Sequence, residues 1–103
     1  MVQHRPSLGK ETAILRQVIG NPNVRFRFTS HARDEMAADQ IIEADVRHVL
    51  GRYGVSWVEW KKDEIWHVEG LDVDGRSIRV VITVIVDIVV VKIITVMELK
   101  PPP

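Results

Sequence analysis

Residues 78–99 read IRVVITVIVDIVVVKIITVMEL, a run of Val, Ile and Thr that is interrupted by charges at Arg79, Asp87 and Lys92. The run is long enough to span a membrane as a helix, but charges near its start, middle and end argue against that. Branched side chains favour a pleated sheet instead. We therefore predict two long strands, Ile78–Val86 and Val89–Leu99, that fold back at Asp87-Ile88. Both faces of these strands are largely apolar, so both must be covered. Helices can cover one face, and a partner, a ligand or a second copy of the chain can cover the other.

The composition limits the class of protein. A chain of 103 residues without Cys is expected to form one domain, 1–103, with 1–22 as an N-terminal helical extension and 100–103 as a tail. The absence of Cys excludes disulfides and fits a reducing cytoplasm, and no signal peptide or membrane anchor is expected. Because the net charge is zero, nucleic-acid binding would have to depend on a local basic patch.

The first part of the chain predicts a helix followed by a short strand. Apolar residues spaced for a helix cover about Leu8–Ile19, with Ser7 as the N-cap and Gly20 at the end. In Val24–Phe28 apolar residues alternate with two arginines, a pattern that is typical of a half-buried strand.

Two short helices are predicted next. Thr29 or Ser30 offers an N-cap for a helix that runs through Met36. A further helix carries an apolar stripe and ends near Gly51; the stripe consists of Ile42, Val46, Val49 and Leu50.

A meander of antiparallel strands is predicted to follow. Ser56–Trp60 and Ile65–Asp72 flank the charged loop Lys61–Glu64, and Asp74-Gly75 is a strong signal for a two-residue hairpin turn. The fold class is thus α+β, with the N-terminal helices on one face of a mostly antiparallel meander sheet.

The predicted turns determine which side chains share a face of the sheet. They pair Val68 with Val81, Thr83 with Lys92, and Trp57 with Val68. The face expected beneath the helices holds Trp60, Ile65, His67, Glu69, Ile78, Val80, Ile82, Val84, Val91, Ile93, Thr95 and Met97. The second face, which resembles a contact surface, holds Trp57, Glu59, Trp66, Val68, Arg79, Val81, Thr83, Val90, Lys92 and Ile94.

His31 and Arg33 form the first candidate site. In a functional interpretation His31 is a general acid or base and Arg33 binds a phosphate. In a structural interpretation His31 bonds to the neighbouring backbone and Arg33 is solvated or ion-paired. Two positions apart on a helix, the side chains point in different directions unless His31 lies in the first turn.

Arg79 and Lys92 form the second candidate site. They would bind a phosphodiester, with Arg76, Trp66 and Thr83 as substrate-binding residues and Trp66 or Trp57 stacking on a base. The structural alternative pairs the two cations with acids across the sheet, namely Glu59 and Glu98. No metal motif is present because the four histidines are scattered, and neither a metal nor a cofactor is expected.

Several segments of the chain match a known pattern: FTSHARDEM at 28–36, IIEADV at 41–46, WHVEG at 66–70, DGR at 74–76 and VKIITV at 91–96. Together they resemble the DUF4258 family, which is grouped with toxins of the RelE/ParE type and is similar in fold to the BrnT and MqsR ribonuclease toxins. His31 and Arg33 match the His-Ala-Arg motif of the family, and Gly75, Arg76 and Thr95 match later positions. The net charge of zero differs from the basic charge that is common among such toxins.

The resemblance implies a compact α+β toxin-like domain that is made beside an antitoxin and cleaves RNA. Cleavage without a metal needs a proton carrier and cations around the phosphorane. The expected residues are Arg79 and Lys92 for the phosphorane, Arg33 or Arg76 for a neighbouring phosphate, and His31 or His67 as the proton carrier. The alternative is a non-enzymatic interaction module, which binds a partner peptide or a second copy through Trp57, Trp66, Val81 and Ile94.

Overall fold

The computed structural model describes residues 8–100, so the predicted cap Ser7 and the prolines 101–103 lie outside the described residues. The fold is α+β, as predicted. The elements in chain order are α1 (Gly9–Ile19), β1 (Arg25–Phe28), α2 (Ser30–Asp39), α3 (Glu43–Arg52), β2 (Val55–Trp60), β3 (Glu64–Leu71), β4 (Ser77–Ile85) and β5 (Val90–Glu98).

The strands form one sheet in the order β1-β5-β4-β3-β2. Strands β2 to β5 make the predicted antiparallel meander, but β1 pairs in parallel with β5, which makes the sheet mixed. The three helices cover one side, here called the helix face. The core lies between them, where Leu15 and Val46 of the helices meet Val68, Val80 and Ile93 of the sheet. No helix within residues 8–100 is long and apolar enough to cross a membrane.

Local signals explain where the helices begin and end. The Thr29 hydroxyl accepts a hydrogen bond from the Ala32 N–H at 3.0 Å, which confirms Thr29 as the N-cap of α2. Gly20 is the C-cap of α1, as predicted. Helix α3 ends at Arg52, one residue past Gly51, near which its end was predicted.

Helix α2 also satisfies the edge of β5 beyond the end of β1. The Glu35 carboxylate accepts the Val96 N–H at 3.1 Å, and the Asp39 carboxylate accepts the Glu98 N–H at 3.3 Å. Side chains of the helix therefore take the place of a neighbouring strand at this edge.

The long apolar hairpin folds back where the sequence predicts. Asp87 and Ile88 are the central residues of the turn, which is closed by a hydrogen bond from the Val89 N–H to the Val86 carbonyl at 3.2 Å. Val89 has a φ of 53°, a left-handed conformation that a branched side chain seldom adopts. The predicted pairing of Thr83 with Lys92 is confirmed.

The predicted two-residue turn at Asp74-Gly75 is wrong. Pairing stops at Leu71 and resumes at Ser77, which leaves a five-residue loop. The carboxylate of Asp72 holds this loop: it accepts the backbone N–H of Asp74 at 3.0 Å and that of Arg76 at 2.8 Å. The longer loop shifts the register by one residue, and a one-residue shift moves every side chain of the strand to the other face.

Strand β3 is therefore inverted relative to the prediction. Val68 pairs with Val80, and both Trp66 and Val68 lie on the helix face. The other side of the sheet is here called the open face, because no helix of the described chain covers it. It holds Trp57, Glu59, Ile65, His67, Glu69, Arg79, Val81, Thr83, Lys92, Thr95 and Met97. Trp57 keeps its predicted side only because its pairing with β3 is also shifted by one residue, so that it opposes His67.

At the end of β5 a β-bulge places side chains on the face opposite to the one predicted. Val81 pairs with Thr95 whereas Ile82 pairs with Ile93, so one extra residue enters β5 at Ile94. Thr95 and Met97, which were expected beneath the helices, consequently lie on the open face.

Candidate nucleic-acid interface on the open face

Three cations without carboxylate partners lie on the open face where β1 and β5 pair. Arg27 and Lys92 are register partners, and Arg25 is the register partner of Val90. All three side chains are exposed, and none forms a salt bridge within residues 8–100. We call Arg25, Arg27 and Lys92 the basic row. Sequence reasoning placed the two arginines on the outer side of a short strand but missed their position beside Lys92, because nothing in the sequence identifies β5 as the parallel partner.

A groove adjoins the basic row. Its volume is about 770 Å³, and it runs between the β2–β3 loop and the β4–β5 turn. Lys92 and Thr83 line it together with the apolar side chains of Ile65 and Ile94. The Thr83 hydroxyl lies 3.5 Å from the Glu64 carbonyl, at the limit of a hydrogen bond. Charged residues of both signs also line the groove, namely Lys61, Lys62, Asp63, Glu64 and Asp87.

Arg79 lies on the same face as Lys92, as the sequence predicts, but its charge is neutralised. Its Nε and Nη2 donate to one carboxylate oxygen of Glu69 at 3.1 and 2.9 Å. The predicted pairing of the cations with Glu59 and Glu98 is wrong, because Arg79 pairs with its register neighbour Glu69 and Lys92 has no partner among the described carboxylates.

An aromatic stack occupies the β2–β3 side of the open face. The rings of Trp57 and His67 lie 3.8 Å apart at an angle of 24°. The Nε2 of His67 lies 3.1 Å from a carboxylate oxygen of Glu59, and the Lys61 ammonium lies 3.5 Å from the other. The hydrogen bond from His67 lowers the pKa of Glu59, and the charge of Lys61 acts in the same direction.

His67 is more buried than its position suggests. Only 9% of its side chain is exposed, and its Nδ1 is buried without a hydrogen-bond partner. Because a carboxylate accepts hydrogen bonds, Nε2 is the donor in the contact with Glu59, and Nδ1 is left without a partner among the described residues. The arrangement is an imidazole held in one orientation by Glu59 with its second nitrogen unused.

Arg76 does not belong to this face. Its guanidinium donates to the Asp72 carboxylate at 2.8 Å and to the carbonyls of Asp39 and Gln40 at 2.7 and 3.1 Å. Burial raises the pKa of Asp72, but hydrogen bonds from Arg76 and Asp74 outweigh burial and leave that pKa lowered. The hydrogen bond with Asp72 also raises the pKa of Arg76. Arg76 therefore joins the β3–β4 loop to the end of α2, and the predicted substrate-binding role has no geometric support.

Trp66 is likewise unavailable on the open face. It lies on the helix face with 6% of its surface exposed, and its Nε1 donates to the Glu64 carboxylate at 2.8 Å. Of the two tryptophans considered for base stacking, only Trp57 faces outward from the sheet on the side of Lys92, with 36% of its surface exposed.

His31 and Arg33 are both exposed on α2, apart from the basic row. His31 lies 3.3 Å from the Glu35 carboxylate, and Arg33 lies 3.1 Å from that of Glu43. The Arg33 guanidinium also lies over the ring of Phe28, 5.0 Å from its centre. The structure thus separates the first candidate site from the second, and the expected set of His31, Arg33, Arg79 and Lys92 does not form one constellation.

Within residues 8–100, one group of acids has the spacing of metal ligands. One carboxylate oxygen each from Asp45, Asp72 and Asp74 lies within 4.8 Å of the others. The first two are already engaged, since Asp45 accepts the Ile42 N–H and Asp72 accepts three hydrogen bonds. The guanidinium of Arg76 supplies the positive charge there, so the group does not fit a cation site.

Comparison of the chain with protein-family models, with curated proteins and with solved structures gave no match. The functional assignment therefore depends on the geometry of the open face.

Proposed function

We propose that this protein is the toxin of a toxin–antitoxin pair, that it has a RelE/ParE-like fold, and that it binds RNA on its open face and cleaves it without a metal ion. The observation that carries the proposal is the basic row, whose three cations form no salt bridge within residues 8–100, in a chain whose net charge is zero. The resemblance of the HARDEM segment and the later motifs to DUF4258 points to the same class.

Charge distribution supports binding of a phosphate backbone. The two strand carboxylates of the open face are already occupied, Glu59 by His67 and Glu69 by Arg79. The cations of the basic row are therefore left for an external anion. Each phosphate neutralised by Lys or Arg releases counterions, and this release favours binding most at low salt.

Cleavage requires that the 2′-oxygen lose its proton and attack the phosphorus while the bond from phosphorus to the 5′-oxygen breaks and that oxygen takes up a proton from water. We assign the stabilisation of the charge on the phosphorane to Lys92 and Arg27. We assign the proton-accepting role to Nδ1 of His67, since Glu59 fixes the ring and stabilises its protonated form. Nδ1 is covered in the free protein, so this proton transfer requires a local opening at Nδ1 that leaves the stack of His67 on Trp57 in place.

Controlled expression in a bacterial host tests the proposal. The wild-type chain should arrest growth and accelerate RNA decay, and co-expression of a neighbouring antitoxin gene should relieve the arrest. The double variant Arg27→Ala/Lys92→Ala should abolish both effects, whereas His31→Ala should keep them. If the double variant arrests growth as strongly as the wild type, the open face is not the site.

The apolar part of the open face favours a second candidate function, a protein-interaction module or homodimer. Ile85 of β4 and the turn residues Val86 and Ile88 are 37%, 57% and 59% exposed, and Trp57 adds an aromatic side chain on the open face. Such a surface is typical of a contact between proteins. Sedimentation in rising salt separates the two functions, because an apolar dimer persists in salt whereas phosphate contacts weaken.

A further inference from the structure

We infer that an unpaired base stacks on the outer side of the Trp57 indole, and that the substrate is therefore single-stranded RNA. This inference rests on the proposed RNA-binding function and adds the form of RNA that the open face accepts.

The Trp57 ring is held in place before any ligand binds. Its inner side stacks on His67 at 3.8 Å, His67 is tied to Glu59, and Glu59 is in turn tied to Lys61. His67 is itself nine-tenths buried, so it is a fixed support for the indole. A side chain that is already ordered loses less conformational freedom on binding, which leaves more of the stacking energy for affinity.

The basic row and Trp57 lie at opposite ends of a continuous path across the open face. Lys92 on β5 and the β2 strand that carries Trp57 are three strand spacings apart, about 14 Å. In the row that crosses the sheet from Lys92, Thr83 and Ile65 carry no charge, and the row ends at Glu59 on β2, whose carboxylate is bound by His67 and Lys61. Trp57 lies two residues before Glu59 on the same strand. A strand whose phosphates lie at the basic row can therefore extend a base to Trp57.

Stacking on Trp57 selects against a duplex. In double-stranded RNA the bases are stacked inside the helix and are not available to an aromatic side chain, whereas unpaired bases stack readily on Trp. Phosphate contacts alone would not distinguish the two forms, because both present a charged backbone.

The chain contains a matched control for the aromatic effect. Trp60 lies on the same strand and is 75% exposed, but it belongs to the opposite side of the sheet. If general exposure of an indole were enough to bind RNA, Trp60 would matter more than Trp57.

The experiment measures binding of the purified full chain to a short oligouridylate and to an RNA duplex of the same length at low salt. Trp57→Ala should weaken oligouridylate binding by about tenfold to a hundredfold, as expected for loss of one base–aromatic stack, and should leave duplex binding unchanged. Trp57→Phe should retain most of the affinity, and Trp60→Ala should bind as the wild type does. Quenching of indole fluorescence by oligouridylate should disappear in Trp57→Phe.

Each failure has a separate meaning. If Trp57→Ala binds oligouridylate like the wild type while Arg27→Ala/Lys92→Ala does not, the stacking inference is overturned and the RNA-binding proposal stands. Equal losses for oligouridylate and duplex in Trp57→Ala also overturn it, because a structural defect would then explain both. A wild-type chain that binds neither RNA overturns the proposed function as well.

Discussion

Arg27 and Lys92 are direct register partners on neighbouring parallel strands, and both present exposed cations to the open face. Two like charges placed side by side repel each other, and no carboxylate of the described chain relieves this pair. An anion bound between them would remove the repulsion, which gives the first prediction.

The salt dependence of RNA binding should report the basic row. Each cation removed from the row should reduce the slope of log affinity against log salt by about 0.7 for a single strand. Arg27→Ala and Lys92→Ala are each expected to show this change in a titration of oligouridylate at several salt concentrations. Arg33→Ala is the control, since Arg33 is paired with Glu43 on the helices and should leave the slope unchanged. Equal slopes in all four proteins would contradict phosphate contact at the basic row.

Removal of Arg76 should destabilise the fold without touching the RNA site. Arg76→Ala leaves the carboxylate of Asp72 without its charged donor and two carbonyls of the α2 end without theirs. Because the Asp72 side chain is fully buried, leaving it without that donor should lower the free energy of unfolding, measured with urea, by about 1–3 kcal/mol. The folded fraction should bind oligouridylate with wild-type affinity. Weakened binding at unchanged stability would return Arg76 to the site.

Gly70 should not tolerate a side chain. A Cβ at this position on the helix-face side of β3 would overlap the ring of Tyr53, the residue that ends α3. Gly70→Ala is expected to lower the free energy of unfolding by about 1–3 kcal/mol, as overpacking usually does. The double variant Gly70→Ala/Tyr53→Ala removes the overlap, so the cost of the added methyl group should be smaller in the Tyr53→Ala background than in the wild-type background. An equal cost in both backgrounds would mean that the ring moves aside freely.

The pH dependence of stability should include a contribution from Glu59. Its pKa is lowered in the folded chain from an ordinary value of 4.5, mainly by the hydrogen bond from His67. The folded state therefore binds fewer protons than the unfolded state at this group, and the stabilisation is present above about pH 4.5 and is lost as the pH falls through the lower folded pKa. Urea midpoints measured from neutral to acidic pH should fall less steeply below about pH 4.5 in Glu59→Gln than in the wild type. Parallel curves would show that the bond with His67 does not stabilise the fold.

The sequence predicts most elements of this fold because the signals for them are local. Thr29 caps α2 through its own hydroxyl, and the Val/Ile strands turn at Asp87-Ile88 because a four-residue turn ends the alternation there. The register of β3 could not be predicted in the same way. The β3–β4 loop is set by the Asp72 carboxylate, and a favourable Asp-Gly pair inside a longer loop gives the same local signal as a two-residue turn.

The site residues follow the register. The one-residue shift exchanges Trp66 for His67 on the open face, so the aromatic residue expected to bind a base is in the core, and His67, which was expected beneath the helices, lies on the open face. Alternation along β1 is enough to predict that Arg25 and Arg27 point away from the core. It does not predict that Lys92 of β5 lies beside them. Parallel pairing of β1 with β5 joins segments that are far apart in the chain. No tight turn connects the two strands, so the sequence contains no local signal for this pairing.

The carboxylates of Glu35 and Asp39 have a consequence for how the sheet can grow. By occupying the N–H groups of Val96 and Glu98, they block the part of β5 that β1 does not pair, so the outer edge of β1 is the strand edge that is left on that rim of the described sheet. At the opposite rim the start of β2 is also occupied, because the backbone groups of Val55 bond to Leu8 and Thr12 of the first helix region. Strand addition by a foreign peptide is thereby confined to the outer edge of the four-residue strand β1 and to the remainder of β2.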